Sequence, residues 1–416
     1  METERMPKIQ NISCHKIINS RGEWTLRTRV LLDDGSVGIQ TIPEGASKGK
    51  REAVYIPVQE AIDKISTLIN ETLKGEDPFD QGRIDRLLVE VDGTPNKKHL
   101  GGNSILSVSL AVCQAAAVSR KQLLYKYLAD LYGNKKEEFT FPTPVFNVFN
   151  GGKHADNGLS FQEFMLIPAG RVPFDESLEM AVNIYHNLER VLKKNGFGTE
   201  VGDEGGFAPE GLTPHSALDF LQEAASENYK VGDKIFFGID AAADSFKRII
   251  TYSIDEEALH LSSVGLADYY SDLVNNYPII YLEDPFQEND HKGWARFFEM
   301  QGRNLMIVGD DLVVTNPRVL ERIIPKKLNN AVVVKPNQVG TLTETLEFIR
   351  MAKEAGMMIN VSHRSGDTAE DTFIADLAVA VGADFIKSGA PARGERVAKY
   401  NRLLEIFLHE QDRLDM

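Results

Sequence analysis

The sequence predicts an α/β fold in which a parallel sheet is covered by helices, with a smaller α+β domain ahead of it. The first observation is a series of short apolar runs between Ile235 and Lys387, each ending at a charged residue or a histidine. The second is their spacing of about 25 residues, the length of one strand, one helix and two short loops. The third is that helix-patterned segments separate the runs, at 317–324, 343–355 and 372–381. The runs are apolar throughout, as expected of strands buried on both faces.

The ends of these strands supply a row of polar side chains. They are Asp240, Glu283, Asp310, Lys335, His363 and Lys387. If the sheet closes into an eight-stranded barrel, all of them lie at the C-terminal mouth, where barrel enzymes have their active sites. A single charge at a strand end most often only begins a solvated loop, but a row of this kind favours a site. Three of the residues are carboxylates, hard oxygen ligands that suit Mg²⁺ or Ca²⁺.

Composition narrows the classes of function. The chain has 416 residues, 42% of them hydrophobic, which is enough for a large core and two domains. A net charge of −15 argues against nucleic acid or an anionic membrane as a partner. The first residues lack the apolar segment of a signal peptide, and the run 105–118 is too short to span a bilayer. Two cysteines without a CxxC pair predict a reducing cytoplasm.

Residues 1–138 are predicted to form the α+β domain and residues 139–416 the barrel. Residues 8–42 alternate in the manner of an antiparallel meander. Three helical patterns follow it, at 61–73, 79–91 and 104–117. Asn103 or Ser104 is predicted to cap the third helix.

A glycine-rich loop with basic residues lies between the meander and the first helix. Its sequence is Gly45-Ala46-Ser47-Lys48-Gly49-Lys50, followed by Arg51. The spacing and the arginine do not fit a phosphate-binding P-loop. Either a mobile lid or a plain surface loop is compatible with this composition.

Two glutamates of the second domain have unusual neighbours. Glu163 lies within the aromatic and apolar strand 161–167, where an unpaired carboxylate is costly. Glu204 is flanked by glycines, which let a ligand or another backbone approach closely. Each is either a hydrogen-bonded structural residue or an acid or base with a shifted pKa.

A series of motifs runs in order along nearly the whole chain. They are GASKG at 45–49, GGKH at 151–154, FQEFM at 161–165, VGDEGGFAP at 201–209, LEDPF at 282–286, GDDLVVTNP at 309–317, KPNQVGT at 335–341, VSHRSG at 361–366 and KSGAPARGER at 387–396. In these motifs the sequence resembles the enolase family. The resemblance implies an eight-stranded (β/α) barrel of the enolase type, ordered ββαα(βα)6 with an antiparallel second strand, behind a smaller N-terminal α+β domain.

The resemblance also assigns roles to individual residues. Those expected to hold a first Mg²⁺ are Asp240, Glu283 and Asp310, and Ser47 is expected to bind a second, substrate-associated Mg²⁺. The expected catalytic residues are Lys335 as base, Glu204 as acid with Glu163 beside it, and His154 and His363. The expected substrate contacts are Gln162, Glu163, His154, Lys387 to a carboxylate, and Arg364 with Ser365 to a phosphate.

The implied activity is the reversible, Mg²⁺-dependent dehydration of 2-phosphoglycerate to phosphoenolpyruvate in glycolysis and gluconeogenesis, by a cytoplasmic homodimer or dimer-based oligomer. A proton next to an ionised carboxylate is very weakly acidic, because its loss puts a second negative charge on the same group. Two divalent cations can offset this, since each unit charge about 4 Å away contributes roughly 4 kcal/mol at an effective dielectric near 20. The alternatives are an inactive enolase-like binding or structural protein, and a superfamily enzyme acting on another acid.

The chain departs from the family pattern at several places. Glu23-Trp24 replaces a usual Asn-Pro, the segment after the glycine-rich loop is shortened, and 367–371 carries one extra residue. Arg27 replaces a usual Glu and Glu405 a usual Arg, at positions that pair between subunits in family dimers. The double change predicts that Arg27 of one subunit contacts Glu405 of the other.

Overall fold

The computed structural model describes residues 6–46, 49, 51–135 and 138–411. Its N-terminal part contains the predicted antiparallel meander, in the order β1 (Ile9–Ile18), β2 (Trp24–Leu32) and β3 (Val37–Thr41). The helices that follow are α1 (Val58–Lys64), α2 (Asn70–Leu73), α3 (Gln81–Asp92), α4 (Gly102–Ser119) and α5 (Leu124–Tyr132). A π-helical turn, Ile65–Ile69, joins α1 to α2 into one helix.

Helix α4 is the centre of this α+β region. By length and composition alone it could cross a membrane, but 83% of it is buried inside the protein. It packs against β2 and β3, and Gly38 of β3 allows close contact because a Cβ there would lie 2.0 Å from the Ala111 carbonyl oxygen. The predicted side-chain cap is wrong. The N-cap residue is Gly101, with φ of 91°, and Asn103 instead bonds the backbone N and O of Ile56 at 3.2 and 3.0 Å.

The second region is a closed barrel, as predicted. Its strands are β4 (Thr143–Asn150), β5 (Glu163–Pro168), β6 (Ile235–Asp240), β9 (Ile279–Glu283), β10 (Met306–Gly309), β11 (Ala331–Val334), β12 (Met358–Ser362) and β13 (Phe385–Lys387). A small hairpin, β7 (Tyr252–Ile254) and β8 (Leu259–Leu261), follows β6. Strand β5 is antiparallel to both of its neighbours, and the other pairs are parallel.

Helices surround the barrel in the order ββαα(βα)6. They are α6 (Phe174–Lys194), α7 (Pro214–Ser226), α8 (Ser263–Asn276), α9 (His291–Gln301), α10 (Pro317–Ile323), α11 (Pro336–Val339), α12 (Leu342–Glu354), α13 (Phe373–Val381) and α14 (Gly394–Glu410). The barrel interior is filled by a separate apolar cluster: Val145, Met165, Ile167, Tyr281, Met306, Val308, Ala331 and Val333. Because this cluster closes the interior, the polar strand ends are confined to the mouth.

Candidate active site

The predicted strand-end residues meet in one cavity at the barrel mouth. Glu163, Asp240 and Glu283 are paired in register across three adjacent strands. The cavity is lined by His154, Gln162, Glu163, Glu204, Asp240, Asp310, Lys335, His363, Arg364, Ser365 and Lys387, among others. Glu283 lies just below it and is fully buried. Every described residue that the sequence assigned to the site is therefore in or against this cavity.

Lys387 joins the carboxylates on the floor of the cavity. Its Nζ lies 2.8 Å from Glu283, 3.1 Å from Glu163 and 3.5 Å from Asp240. Burial would lower the pKa of Lys387, but Glu163, Glu283 and Asp240 outweigh it and raise the pKa well above its usual value. The amine is therefore a permanent cation at neutral pH.

The floor carboxylates still fit a hard divalent cation. Burial, together with Glu283, raises the pKa of Asp240 to about 8. Glu283 accepts from the Tyr281 hydroxyl at 2.6 Å through Oε2, whereas its Oε1 has no hydrogen-bond partner among the residues that the structure describes. Buried carboxylates with unused oxygens match the preference of Mg²⁺ for oxygen ligands. Asp240, Glu283 and Asp310 are thus suited to hold the ion.

Asp310 belongs to a second group of acidic residues, whose other members, Asp284 and Asp311, were missed by the sequence analysis. Oxygens of Asp284, Asp310 and Asp311 lie within 4.8 Å of one another. The Asp284 carboxylate accepts the backbone N–H of Asp310 at 3.0 Å and of Asp311 at 2.8 Å. Asp284 therefore orients the start of the loop that carries Asp310. Its position in LEDPF, one residue past a strand end, was the available signal.

Lys335, directly after strand β11, pairs with Asp310. Gln338 donates to the other oxygen of Asp310 at 2.8 Å, and the Thr315 hydroxyl donates to Gln338 at 2.7 Å. Burial would lower the pKa of Lys335, but Asp310 raises it above the usual value. Lys335 is therefore held as an ammonium group for as long as Asp310 is its partner.

Glu163 and Glu204, the two glutamates with unusual neighbours in the sequence, lie close to each other and to His154. One ligand atom from each of His154, Glu163 and Glu204 lies within 4.8 Å of the others. Glu204 accepts from Asn147 at 3.0 Å, and His363 Nε2 lies 3.3 Å from its carboxylate. This arrangement places the two carboxyl groups close enough to compete for one proton.

The surroundings of the two glutamates decide which one holds the proton. Burial and the charge of Glu204 raise the pKa of Glu163 well above its usual value. Burial alone would also raise the pKa of Glu204, but His154, His363 and Arg396 hold it well below. In this structure the proton therefore lies on Glu163 and Glu204 is ionised.

The predicted phosphate-binding pair lies beside the glycine-rich loop. Arg364 Nη1 donates to Glu52 at 3.2 Å, and Ser365 Oγ accepts from the Ala46 N–H at 2.8 Å. A Cβ at Gly45 would lie 1.9 Å from the Arg364 guanidinium, so a larger residue there would displace this side chain. Ser47 lies outside the described residues, and its assignment stays a prediction. Glu52, which the sequence analysis missed, links this loop to Arg364.

Comparison with known protein families gives two matches. The family described as Enolase, N-terminal domain, matches residues 9–128, and the family described as Enolase, C-terminal TIM barrel domain, matches residues 138–412. The two matches leave only residues 129–137 between them, and they indicate a lyase-type enzyme. Together with the closed barrel and its acidic mouth, they show that the chain belongs to the enolase family.

Proposed function

We propose that this protein dehydrates 2-phosphoglycerate reversibly to phosphoenolpyruvate. The observation that carries the proposal is the placement of Lys335 and Glu204 in one cavity, with the acidic floor and Lys387 also lining it. A reaction that removes a proton and a hydroxyl from adjacent carbons needs a base and an acid in one site, and these groups supply both. The basic side chains Arg364 and Lys387 offer places for the phosphate and the carboxylate of the substrate.

Lys335 takes the proton from C2 in this proposal. Among the lysines that the structure describes, Lys335 is the one whose Nζ contacts Asp310. A substrate bound over the acidic floor, to which Asp310 belongs, would therefore have its C2 next to this amine. To accept a proton the amine must first lose its own. The contact with Asp310 opposes this loss, so weakening that contact prepares Lys335 as a base.

Glu163 and Glu204 act on the C3 hydroxyl. The leaving hydroxide needs a proton, and this pair shares one. Glu163 holds the proton before substrate binds, and Glu204 lies beside it with its carboxylate fixed by Asn147. Proton transfer within the pair would make Glu204 the donor at the moment of departure, so the pair acts as one unit.

Asp240, Glu283 and Asp310 would hold the first Mg²⁺. When bound, the ion would supply positive charge that stabilises the doubly negative substrate carboxylate. Asp310, as one of its ligands, would then no longer be the partner of Lys335. Lys387 remains beside two of these carboxylates and orients them. A second ion is expected to arrive with the substrate.

The proposal is tested by assaying formation of phosphoenolpyruvate from 2-phosphoglycerate with purified protein in excess Mg²⁺ and in excess chelator. We expect activity only with Mg²⁺, and a loss of kcat of about 10³-fold or more in Lys335→Ala, because a positioned acid or base contributes about 10²–10⁴-fold. The matched control is Lys230→Ala, whose side chain is 80% exposed and does not line the cavity. It should retain wild-type kcat.

Two results would overturn the proposal. Activity that survives the chelator would exclude a role for the acidic floor as an ion site. Activity that survives Lys335→Ala would exclude Lys335 as the base. A folded protein without any activity on 2-phosphoglycerate would instead favour the enolase-like binding protein.

A further inference from the structure

Arg396 is a fully buried arginine on the first turn of α14, directly behind the catalytic wall. Its Nη1 lies 2.6 Å from His363 Nδ1 and donates to the Arg364 carbonyl at 2.7 Å. Its Nη2 donates to the Ser365 carbonyl and, at 3.3 Å, to that of Asp203. One guanidinium therefore contacts two segments of the site: the one that carries His363, Arg364 and Ser365, and the one that carries Glu204.

The contact with His363 has a defined direction. A guanidinium has five N–H donors and cannot accept, so His363 Nδ1 must be the acceptor. A neutral imidazole with a bare Nδ1 carries its proton on Nε2. His363 Nε2 is the nitrogen that faces Glu204, at 3.3 Å. We propose that Arg396 is a positioning residue that holds His363 in the Nε2-protonated tautomer, so that the protonated ring nitrogen faces the Glu204 carboxylate and orients it.

The surrounding residues make room for Arg396 and balance its charge. A Cβ at Gly389 would lie 2.8 Å from Arg396 Cδ, so a glycine is needed where the arginine crosses the chain. Asp367 lies 3.7 Å from Nη1 and Glu395 lies 3.5 Å from Nε, and both offset the buried positive charge. Burial of an unpaired charge is costly, so these carboxylates are needed for the Arg396 guanidinium to remain buried.

Lysine could not replace this arrangement fully. The planar guanidinium reaches His363 and the carbonyls of Arg364, Ser365 and Asp203 at once, whereas an ammonium group on a lysine is a point donor. The expected effect of Arg396 on kcat rests on the proposed function. The tautomer itself does not depend on that function.

The first measurement is the ¹⁵N spectrum of the full-length protein labelled at histidine, because the chemical shift separates a protonated ring nitrogen from a bare one. We expect His363 in the wild type to be a single tautomer with a bare Nδ1. A proton on Nδ1 in the wild type would overturn the proposal by itself, whether or not any variant folds and whether or not the protein acts on 2-phosphoglycerate.

The second measurement uses Arg396→Met, with Arg396→Lys as the conservative variant. We expect the methionine variant to show mixed tautomers at His363 and a kcat lowered about 10–100-fold with a smaller change in KM, as is usual for partners that orient a site residue. Arg396→Lys should recover part of the wild-type kcat and part of the single-tautomer population at His363. The control is Arg402→Met on the same helix, which loses ion pairs to Asp376 and Glu405 without contacting His363, and which should leave the tautomer unchanged.

A double-mutant cycle separates action through His363 from a general loss of stability. In a His363→Ala background, Arg396→Met should lower kcat by less than about threefold if the two residues act as one unit. Additive losses, or an unchanged tautomer in Arg396→Met, would show that Arg396 is only structural. If kcat is low in all proteins but the tautomer responds as expected, the proposed function fails and the positioning role stands.

Discussion

At the scale of single residues, the cavity consists of charges whose protonation is set by their immediate neighbours. Glu163 and Glu204 have the same side chain and opposite pKa shifts. Burial and the charge of Glu204 raise the pKa of Glu163, whereas His154, His363 and Arg396 outweigh burial and lower the pKa of Glu204. The same logic holds for Lys335, which is an ammonium group because Asp310 is its partner. The residue type alone therefore does not determine the role.

Substitution by glutamine tests where the shared proton lies. Glutamine resembles a protonated glutamate, so Glu163→Gln should change the free energy of unfolding by less than about 1 kcal/mol. Glu204→Gln removes an ionised acceptor and should cost about 1–3 kcal/mol. Denaturant unfolding of both variants measures this difference. The reverse order of stabilities would place the proton on Glu204.

His363 should make stability depend on pH. Burial lowers its pKa from 6.5 to about 4 in the folded protein. Between these values the unfolded chain binds more protons than the folded one, so stability is fully present above pH 6.5 and is lost as the pH falls toward 4. The shift corresponds to about 3 kcal/mol.

The measurement is the free energy of unfolding of the wild type and of His363→Gln over this pH range. The difference between the two proteins should move by up to about 3 kcal/mol against the wild type on acidification. Parallel curves would show that His363 is not buried in its neutral form.

At the scale of elements, close packing depends on small residues where strands and helices cross. Gly38 on β3 lies against the backbone of α4, and a Cβ there would be 2.0 Å from the Ala111 oxygen and 2.4 Å from the Ala115 nitrogen. Backbone atoms cannot rotate away as a side chain can. The helix and the sheet would have to separate instead.

Gly38→Ala should therefore destabilise the protein by about 1–3 kcal/mol or more, the usual effect of overpacking. The matched control is Gly82→Ala on α3, where the nearest atom to the new Cβ is 3.8 Å away. Because alanine favours helix, the control should be neutral or stabilising. Thermal unfolding of both variants decides the matter, and equal melting temperatures would contradict the close approach of β3 to α4.

At the scale of the whole molecule, partly buried polar contacts join the N-terminal region to the barrel. Asp85 accepts the Thr343 N–H at 2.8 Å, and Lys97 lies 2.8 Å from Glu344. Arg51 likewise bonds Glu288 at 3.0 Å beside the glycine-rich loop. Gly45, Ala46 and Glu52 of the N-terminal region line the cavity together with the barrel residues, so the two regions form one site.

We propose that the chain forms a homodimer in which Arg27 of one subunit contacts Glu405 of the other. Within one chain Arg27 lies 2.6 Å from Glu370 and Glu405 lies 2.7 Å from Arg402, so both side chains exchange or share these partners on assembly. Arg27→Glu should weaken the dimer about tenfold, and the double exchange Arg27→Glu with Glu405→Arg should restore it. Sedimentation as a function of concentration measures this. A double variant no stronger than the single one would exclude the contact.

Much of the fold and of the site follows from local signals. Asp240, Glu283 and Asp310 could be predicted as site residues because each follows a continuous apolar run. Such runs form buried parallel strands. The capping of α4 was predicted wrongly because Asn103 has a tertiary partner, the backbone of Ile56, that no local rule supplies. Glu52, Gln338 and Arg396 were missed because their importance comes from partners distant along the chain.

The sequence by itself determined the barrel, its family and the strand-end side chains at the mouth, because apolar runs and motifs can be recognised from residues that are neighbours along the chain. Only the tertiary structure decided which glutamate carries the proton, which acid holds Lys335 and which arginine sets the His363 tautomer. Each of these depends on distances of about 3 Å between groups remote in sequence, and electrostatic effects at that range are set by burial and geometry.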